Sequence, residues 1–265
     1  MSFQLRRGSA PLLISMPHVG TQIPDALRDG YDPRALAVED TDWHLETLYG
    51  FADALGASVL VPEYSRYVID LNRPPDDTPM YPGASNTELC PTRFFTGDPL
   101  YRPGREPDPA QRRQRLATYW QPYHDALRGE IDRLRQIHGR LLLWEAHSIR
   151  SEIPWLFDGK LPDLNFGTAE GRSAADGILA AIRSGLAGSD DVTVAFNGRF
   201  KGGYITRHYG APQHDVHAVQ LEMCQCLYMN ESAPFGYRPD LAARIQPRLR
   251  RLVEAALGAL PARHD

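Results

Sequence analysis

The sequence predicts an α/β fold, a mixed and mostly parallel sheet sandwiched by helices. Three features of the 265-residue chain predict it: short runs rich in Val, Ile and Leu, amphipathic stretches alternating with them, and little polar alternation inside the runs. Strands covered on both faces read this way, because neither side meets water. With 42% hydrophobic and 23% charged residues, the composition is that of an ordinary globular protein. The length suits one large domain over residues 1–265, and no linker-like stretch divides it.

The first apolar run, 12–16, is too short for a signal-peptide core or a membrane span and reads as a buried strand. Runs at 58–61, 67–71, 141–145, 192–196 and 216–221 supply the other strands. Helical patterns fill the intervals at 42–55, 116–134, 173–186 and 239–260. In the second of these, Leu116, Trp120, Tyr123, Leu127, Ile131 and Leu134 recur every three or four residues and form one apolar face. Pro122 lies within that pattern and either kinks the helix or starts a second one. Residues 73–109 hold nine of the 22 prolines, several glycines and few apolar repeats, which marks a long ordered loop or lid. Loops of that length inside a compact domain are usually functional.

The net charge of −4 provides no global basic field, so neither nucleic acid nor an anionic membrane is expected as a partner. An anionic substrate must be gripped by local arginines. Cys90, Cys224 and Cys226 make neither a disulfide framework nor a four-thiolate zinc site, and imply a reduced, cytoplasmic setting. The chain lacks a Gly-x-Ser-x-Gly elbow, a Gly-x-x-x-x-Gly-Lys phosphate loop, a Gly-x-Gly-x-x-Gly dinucleotide loop and His-Glu-x-x-His. Oligomeric state is left open.

Titratable and cationic residues gather where the predicted strands end. His18 follows 12–16, Asn72 and Arg73 follow 67–71, Glu145 and His147 close 141–145, and Glu222 follows 216–221. In open α/β sheets the ligand crevice lies at that edge. Two histidines and one carboxylate form the usual ligand set of a hydrolytic zinc site. His18 and His147 are the best-placed histidines, and the cluster Glu39-Asp40-Thr41-Asp42 offers carboxylates. Glu222 is placed to take a proton from water, and Arg66 and Arg73 to bind a carboxylate or an oxyanion. Plainer readings stand beside these. Asp40 or Asp42 can cap a helix, either histidine can be structural, and Glu145 can be a ligand, a partner of a ligand or a structural acid.

Taken together, the segments are familiar. They are Ser15-Met16-Pro17-His18-Val19-Gly20, Asp40-Thr41-Asp42-Trp43-His44, Asp70-Leu71-Asn72-Arg73, Leu89-Cys90-Pro91-Thr92, Tyr119-Trp120-Gln121-Pro122-Tyr123-His124 and Glu145-Ala146-His147-Ser148. Asn197-Gly198, Phe200-Lys201-Gly202-Gly203-Tyr204-Ile205-Thr206-Arg207 and Gln220-Leu221-Glu222-Met223 complete the set. In this order, over about residues 11–230, they resemble the N-formylglutamate amidohydrolase family. The resemblance implies a zinc-dependent exopeptidase (phosphorylase/hydrolase)-like fold, related to zinc carboxypeptidases and aspartoacylases. It implies metal-dependent hydrolysis of a small dicarboxylate, N-formyl-L-glutamate, to formate and L-glutamate, the last step of a histidine degradation route.

By matching motif, a divalent metal, zinc by analogy, falls to His18, Asp42 and His147. Glu222 becomes the general base and acid, Arg66 polarises the carbonyl, and Asn72 with Arg73 grips a substrate carboxylate. Arg207 or Lys201 is then the second cationic contact, with Arg93 a further candidate. One departure is plain: the relatives place a glutamate three residues after the first histidine, where this chain has Thr21. The carboxylate ligand therefore comes from elsewhere, Asp42 in preference to Asp40. The competing functions are a related N-acyl amino acid deacylase or carboxypeptidase-like hydrolase, and a non-catalytic carboxylate-binding protein on the same scaffold.

Overall fold

Runs of Val, Ile and Leu at 58–61, 141–145 and 216–221 have no polar face to turn to water, and they are stacked in the middle of one sheet. The structure, a computed structural model, describes residues 2–80, 87–189 and 191–262. Its seven-stranded sheet has the order β1-β3-β2-β4-β7-β5-β6. The strands are β1 (Phe3–Arg6), β2 (Leu12–Ser15), β3 (Ser58–Pro62), β4 (Leu141–Ile149), β5 (Leu164–Gly167), β6 (Val194–Phe196) and β7 (Val216–Cys224). Strands β3, β2, β4 and β7 run parallel, whereas β1 joins β3, and β5 joins β7, antiparallel.

Side chains alternate across a strand, so each strand feeds two cores. Leu12, Ile14, Leu142, Trp144, Val219 and Leu221 face one side. There they meet α2 (Leu45–Leu48), α5 (Asp176–Gly185) and α7 (Pro239–Gly258). Leu13, Leu141, Leu143, Val216 and Ala218 face the other side, against α4 (Gln121–His138) and α6 (Tyr204–Tyr209). The short α1 (Asp25–Arg28) and α3 (Pro109–Arg115) lie outside these two faces. A π-turn at Leu116–Trp120 joins α3 to α4. That wider turn places Pro122 in the first turn of α4, where its missing N–H costs little, and the helix continues.

The structure differs from the sequence pattern at several places. Residues 67–71 form a buried turn rather than a strand. Tyr67 and Val68 pack into one cluster and Ile69 and Leu71 into another, while Asp70 N–H donates to the Leu89 carbonyl at 2.7 Å instead of to a neighbouring strand. Residues 42–55 do not form one helix, because His44 takes a left-handed conformation and α2 ends at Leu48. Strand β4 runs past 145 to Ile149, and β7 past 221 to Cys224. Glu145, His147 and Glu222 therefore sit inside ladders and not beyond them. Strands β1 and β5 were not expected. Within 73–109, residues 81–86 lie outside the described residues; the described remainder is irregular apart from isolated bridges and the start of α3.

Connections decide where a site can form. From β2 the chain moves to β3 on one side, and β4 then lies on the other side of β2. The carboxyl edge between β2 and β4 is thus a switch point, the usual place for a crevice in this kind of sheet.

Candidate active site

The face of the sheet under α4 and α6 changes character along the strands. Leu13, Leu141, Leu143, Val216 and Ala218 are buried and apolar. Two residues further on each strand, Ser15, Glu145 and Gln220 are buried and polar, and His147 lies in register with Glu222. Pairing in a parallel sheet thus fixes the histidine beside the glutamate.

His18 lies just past β2. The backbone N–H of Asp42 donates to the His18 carbonyl at 3.0 Å, which ties the two segments together. Ligand atoms of His18, Asp42 and His147 all lie within 4.8 Å of one another, and all three residues are buried. The Nδ1 atoms of His147 and His18 lie 3.1 Å and 3.8 Å from Asp42 Oδ2. Their far nitrogens are held by other carboxylates, His18 Nε2 by Asp70 at 2.7 Å and His147 Nε2 by Glu145 at 2.8 Å. A carboxylate behind each histidine is the outer arrangement that orients imidazoles toward a cation. Two imidazole nitrogens converging on one carboxylate oxygen are donors suited to a divalent ion of the zinc type.

Asp40 is committed elsewhere. It accepts from Tyr67 Oη, Phe95 N–H and Arg150 Nη2, each at 2.8 Å. Thr21 is exposed and takes no part. Glu145 also accepts a hydrogen bond from Thr206 on α6.

The electrostatics follow from burial and neighbours. Burial and the adjacent Arg66 lower the His18 pKa, outweighing Asp70 and Asp42. Burial opposes charge on His147 too, but hydrogen bonds to Asp42 and Glu145 prevail and lift it to about 10. Burial pushes Glu222 up to about 8, with Asp42 and Glu145 adding to the rise and His147 and Arg66 opposing it. Asp70 would rise on burial alone, yet His18, Arg73 and Arg66 hold it well below the ordinary carboxylate range. Arg66 donates to Asp70 Oδ2 at 2.8 Å, lies 3.8 Å from Asp42, and has its guanidinium 4.7 Å from the Phe95 ring centre.

A cleft of about 350 Å³ opens above this group, lined by residues that include His18, Arg66, Asn72, Arg73, His147, Lys201 and Glu222. Asn72 is fixed from two sides: its Oδ1 accepts from Ile205 N–H at 2.9 Å, and Gly203 packs against its side chain; its Nδ2 lies 3.1 Å from His147 Nε2. A Cβ on Gly203 would lie 2.3 Å from Asn72 Nδ2, so only glycine fits there. Arg73 is held by Thr87 and by the Asn72 carbonyl at 3.0 Å.

The expected second cations fare differently. Lys201 lines the cleft, but its Nζ pairs with Glu170 at 2.7 Å. Arg207 is not among the lining residues; it donates to the carbonyls of Gly202 at 2.8 Å and Met80 at 3.2 Å. Arg93 lines a smaller neighbouring hollow with Trp155. Sequence reasoning gave no role to Asp70, Gln220 or Arg199. Asp70 stands in the same string as Asn72 and Arg73, yet its partner His18 is 52 positions away in the chain.

A mostly parallel α/β sheet with a buried His–Asp–His group at its switch point defines a protein with a site fit for a divalent cation, opened to a polar cleft beside a glutamate. The chain belongs to the N-formylglutamate amidohydrolase family, whose pattern matches residues 10–229. It is 54% identical over 252 residues to the N-formylglutamate deformylase of Pseudomonas putida, covering 95% of this chain and 94% of that one. Against the N-formylglutamate deformylase of Pseudomonas aeruginosa, identity is 51% over the same share of each. A crystal structure of N-formylglutamate amidohydrolase from Ralstonia eutropha JMP134 superposes with a TM-score of 0.80 at 24% identity, covering 97% of this chain and 96% of that chain. A gene product of Agrobacterium tumefaciens gives 0.73 at 21% identity, with 97% and 95% covered. These two show the shared fold.

Proposed function

We propose that this protein is an amide hydrolase that converts N-formyl-L-glutamate to formate and L-glutamate with a divalent metal, zinc by its donor set. The observation that carries the reading is Glu222 in register beside His147 at the His18–Asp42–His147 group, in a chain 54% identical over nearly its full length to an N-formylglutamate deformylase. The product pair suits the final hydrolytic step of histidine degradation, and the free cysteines suit a cytoplasmic setting. No helix among the described residues is long and apolar enough to cross a membrane.

His18 and His147 would hold the ion through Nδ1, with Asp42 as the third ligand. When bound, such an ion polarises a carbonyl and makes water a stronger acid. Asp70 and Glu145 keep the two imidazoles turned inward by accepting at Nε2. Glu222 takes the proton of the attacking water and returns it to the departing amine nitrogen, a double use suited to a carboxyl whose burial has raised its pKa. Arg66 stands beside Asp42 and Asp70 to stabilise negative charge forming on the formyl oxygen. Asn72 and Arg73, fixed by their own backbone contacts, orient one substrate carboxylate without reorganising. Formate release from N-formyl-L-glutamate by zinc-loaded protein tests the reading. Folded, metal-loaded protein that cleaves only N-acetyl amino acids would shift it to a related deacylase, and tight binding without turnover to a carboxylate-binding protein.

A further inference from the structure

Each histidine of the site is backed by a carboxylate, and the two carboxylates are held by different means. Asp70 accepts from a cation, Arg66 at 2.8 Å, and from the Asn72 N–H at 2.9 Å. Glu145 is fully buried, and among the described residues its two oxygens bond to His147 and to Thr206. Its Oε1 lies 2.8 Å from His147 Nε2, while its Oε2 accepts from the Thr206 hydroxyl at 2.5 Å, the length of a charge-assisted bond. A hydroxyl fixes the carboxylate without neutralising it, so the charge stays directed at the imidazole N–H behind the proposed metal position.

Thr206 is mounted to hold that oxygen in place. It is fully buried in the middle of α6. Its methyl rests against Gly202, where an added Cβ would stand 2.9 Å from it. A β-branched side chain has few rotamers, and with the methyl on Gly202 the hydroxyl is turned to Glu145. The helix itself is pinned. Gly203 N–H donates to Gln220 Oε1 at 2.6 Å, and Ile205 N–H to Asn72 Oδ1 at 2.9 Å. Further on, Gly210 N–H donates to the Thr206 carbonyl at 3.1 Å. Consecutive residues of one short helix thus hold Asn72, the proposed substrate contact, and Glu145, the partner of a proposed metal ligand.

We propose that Thr206 is a positioning residue for the metal site: through Glu145 it fixes the His147 ring in the attitude that presents Nδ1 to the ion. The assignment rests on the metal-dependent reading of this site and deepens it. It gives the segment 200–207 a role that depends on neither Lys201 nor Arg207.

Thr206→Val keeps the branched shape and removes the hydroxyl, whereas Thr206→Ser keeps the hydroxyl and removes the methyl. The zinc dissociation constant, read by competition with a chromogenic chelator, should rise about ten- to a hundredfold in Thr206→Val. In Thr206→Ser it should rise much less. Unfolding midpoints of the chelator-treated proteins report the fold by itself. A zinc constant unchanged in Thr206→Val, or raised equally in both variants, would overturn the assignment. So would a loss confined to the chelator-treated midpoint. Should Thr206→Val fail to fold, Thr206→Ala against Thr206→Ser makes the same comparison, since those two differ only in the hydroxyl.

Zinc-free protein gives a reading that needs no metal. The His147 Nε2–H proton resonance, assigned by its loss in His147→Gln, should shift in Thr206→Val and return toward its wild-type position in Thr206→Ser. If the wild-type protein takes up no zinc, the metal reading fails and this resonance still decides Thr206: movement with recovery supports the link, and an unmoved resonance sinks it.

Discussion

Glu222 shows how much one residue depends on placement. Its carboxyl is buried, in register with His147, and lifted to about 8 by that burial. A glutamine fits the same space but cannot take a proton. Glu222→Gln is expected to lower kcat by about 10²- to 10⁴-fold while zinc content, read by elemental analysis, stays at the wild-type level. Normal turnover in that variant would remove Glu222 from the mechanism. Asp40 teaches the converse. From sequence it competes with Asp42, since both follow Glu39 in one short acidic stretch. Two hydrogen bonds and an ion pair to Arg150 bind Asp40 into the neighbouring loops and leave Asp42 facing the histidines.

At the scale of elements, the buried turn that carries Asp70, Asn72 and Arg73 is held from α4 and the π-turn before it. His124 Nε2 lies 2.9 Å from the Leu71 carbonyl, and Trp120 Nε1 donates to the Arg73 carbonyl at 3.0 Å. The two rings stack with centres 3.7 Å apart. The aromatic pair therefore acts as a clamp on the turn proposed to bind substrate, although neither ring lines the cleft. Trp120→Phe keeps the stacking and removes one hydrogen bond, worth about 1 kcal/mol, or about fivefold in an equilibrium constant. The expected outcome is a KM for N-formyl-L-glutamate raised by about that factor with kcat nearly unchanged. A fall in kcat with KM constant would show that the clamp serves the reaction step instead.

For the whole molecule, the proposed metal couples to stability because its ligands come from three segments far apart in the chain: His18 after β2, Asp42 before α2, and His147 in β4. An ion that binds the folded form alone stabilises it by mass action, about 4 kcal/mol when present at a thousand times its dissociation constant. For a chain of 265 residues each kcal/mol moves the midpoint by about 2–4 °C or somewhat less. Zinc-loaded protein should therefore melt several degrees above chelator-treated protein, and re-addition of zinc should restore both the midpoint and formate release. Coincident melting curves would show that these residues do not hold zinc.

The sequence by itself determined the class of fold, the burial of four central strands and the family. Those depend on local hydrophobic runs and on short ordered motifs, which survive without knowledge of what they touch. His18, Asp42, His147 and Glu222 were legible for the same reason, as each stands in such a motif at or near the end of a strand or helix. Other features were decided only in three dimensions. The polar residues that extend β4 and β7 break the apolar pattern, so the strands read as shorter than they are. Residues 67–71 read as a strand because they are apolar, yet their burial comes from packing in two clusters and not from a ladder. Asp70 gains its part through His18, a pair separated by 52 positions. No local pattern encodes such a partner; the crossover that puts β2 between β3 and β4 brings the pair together.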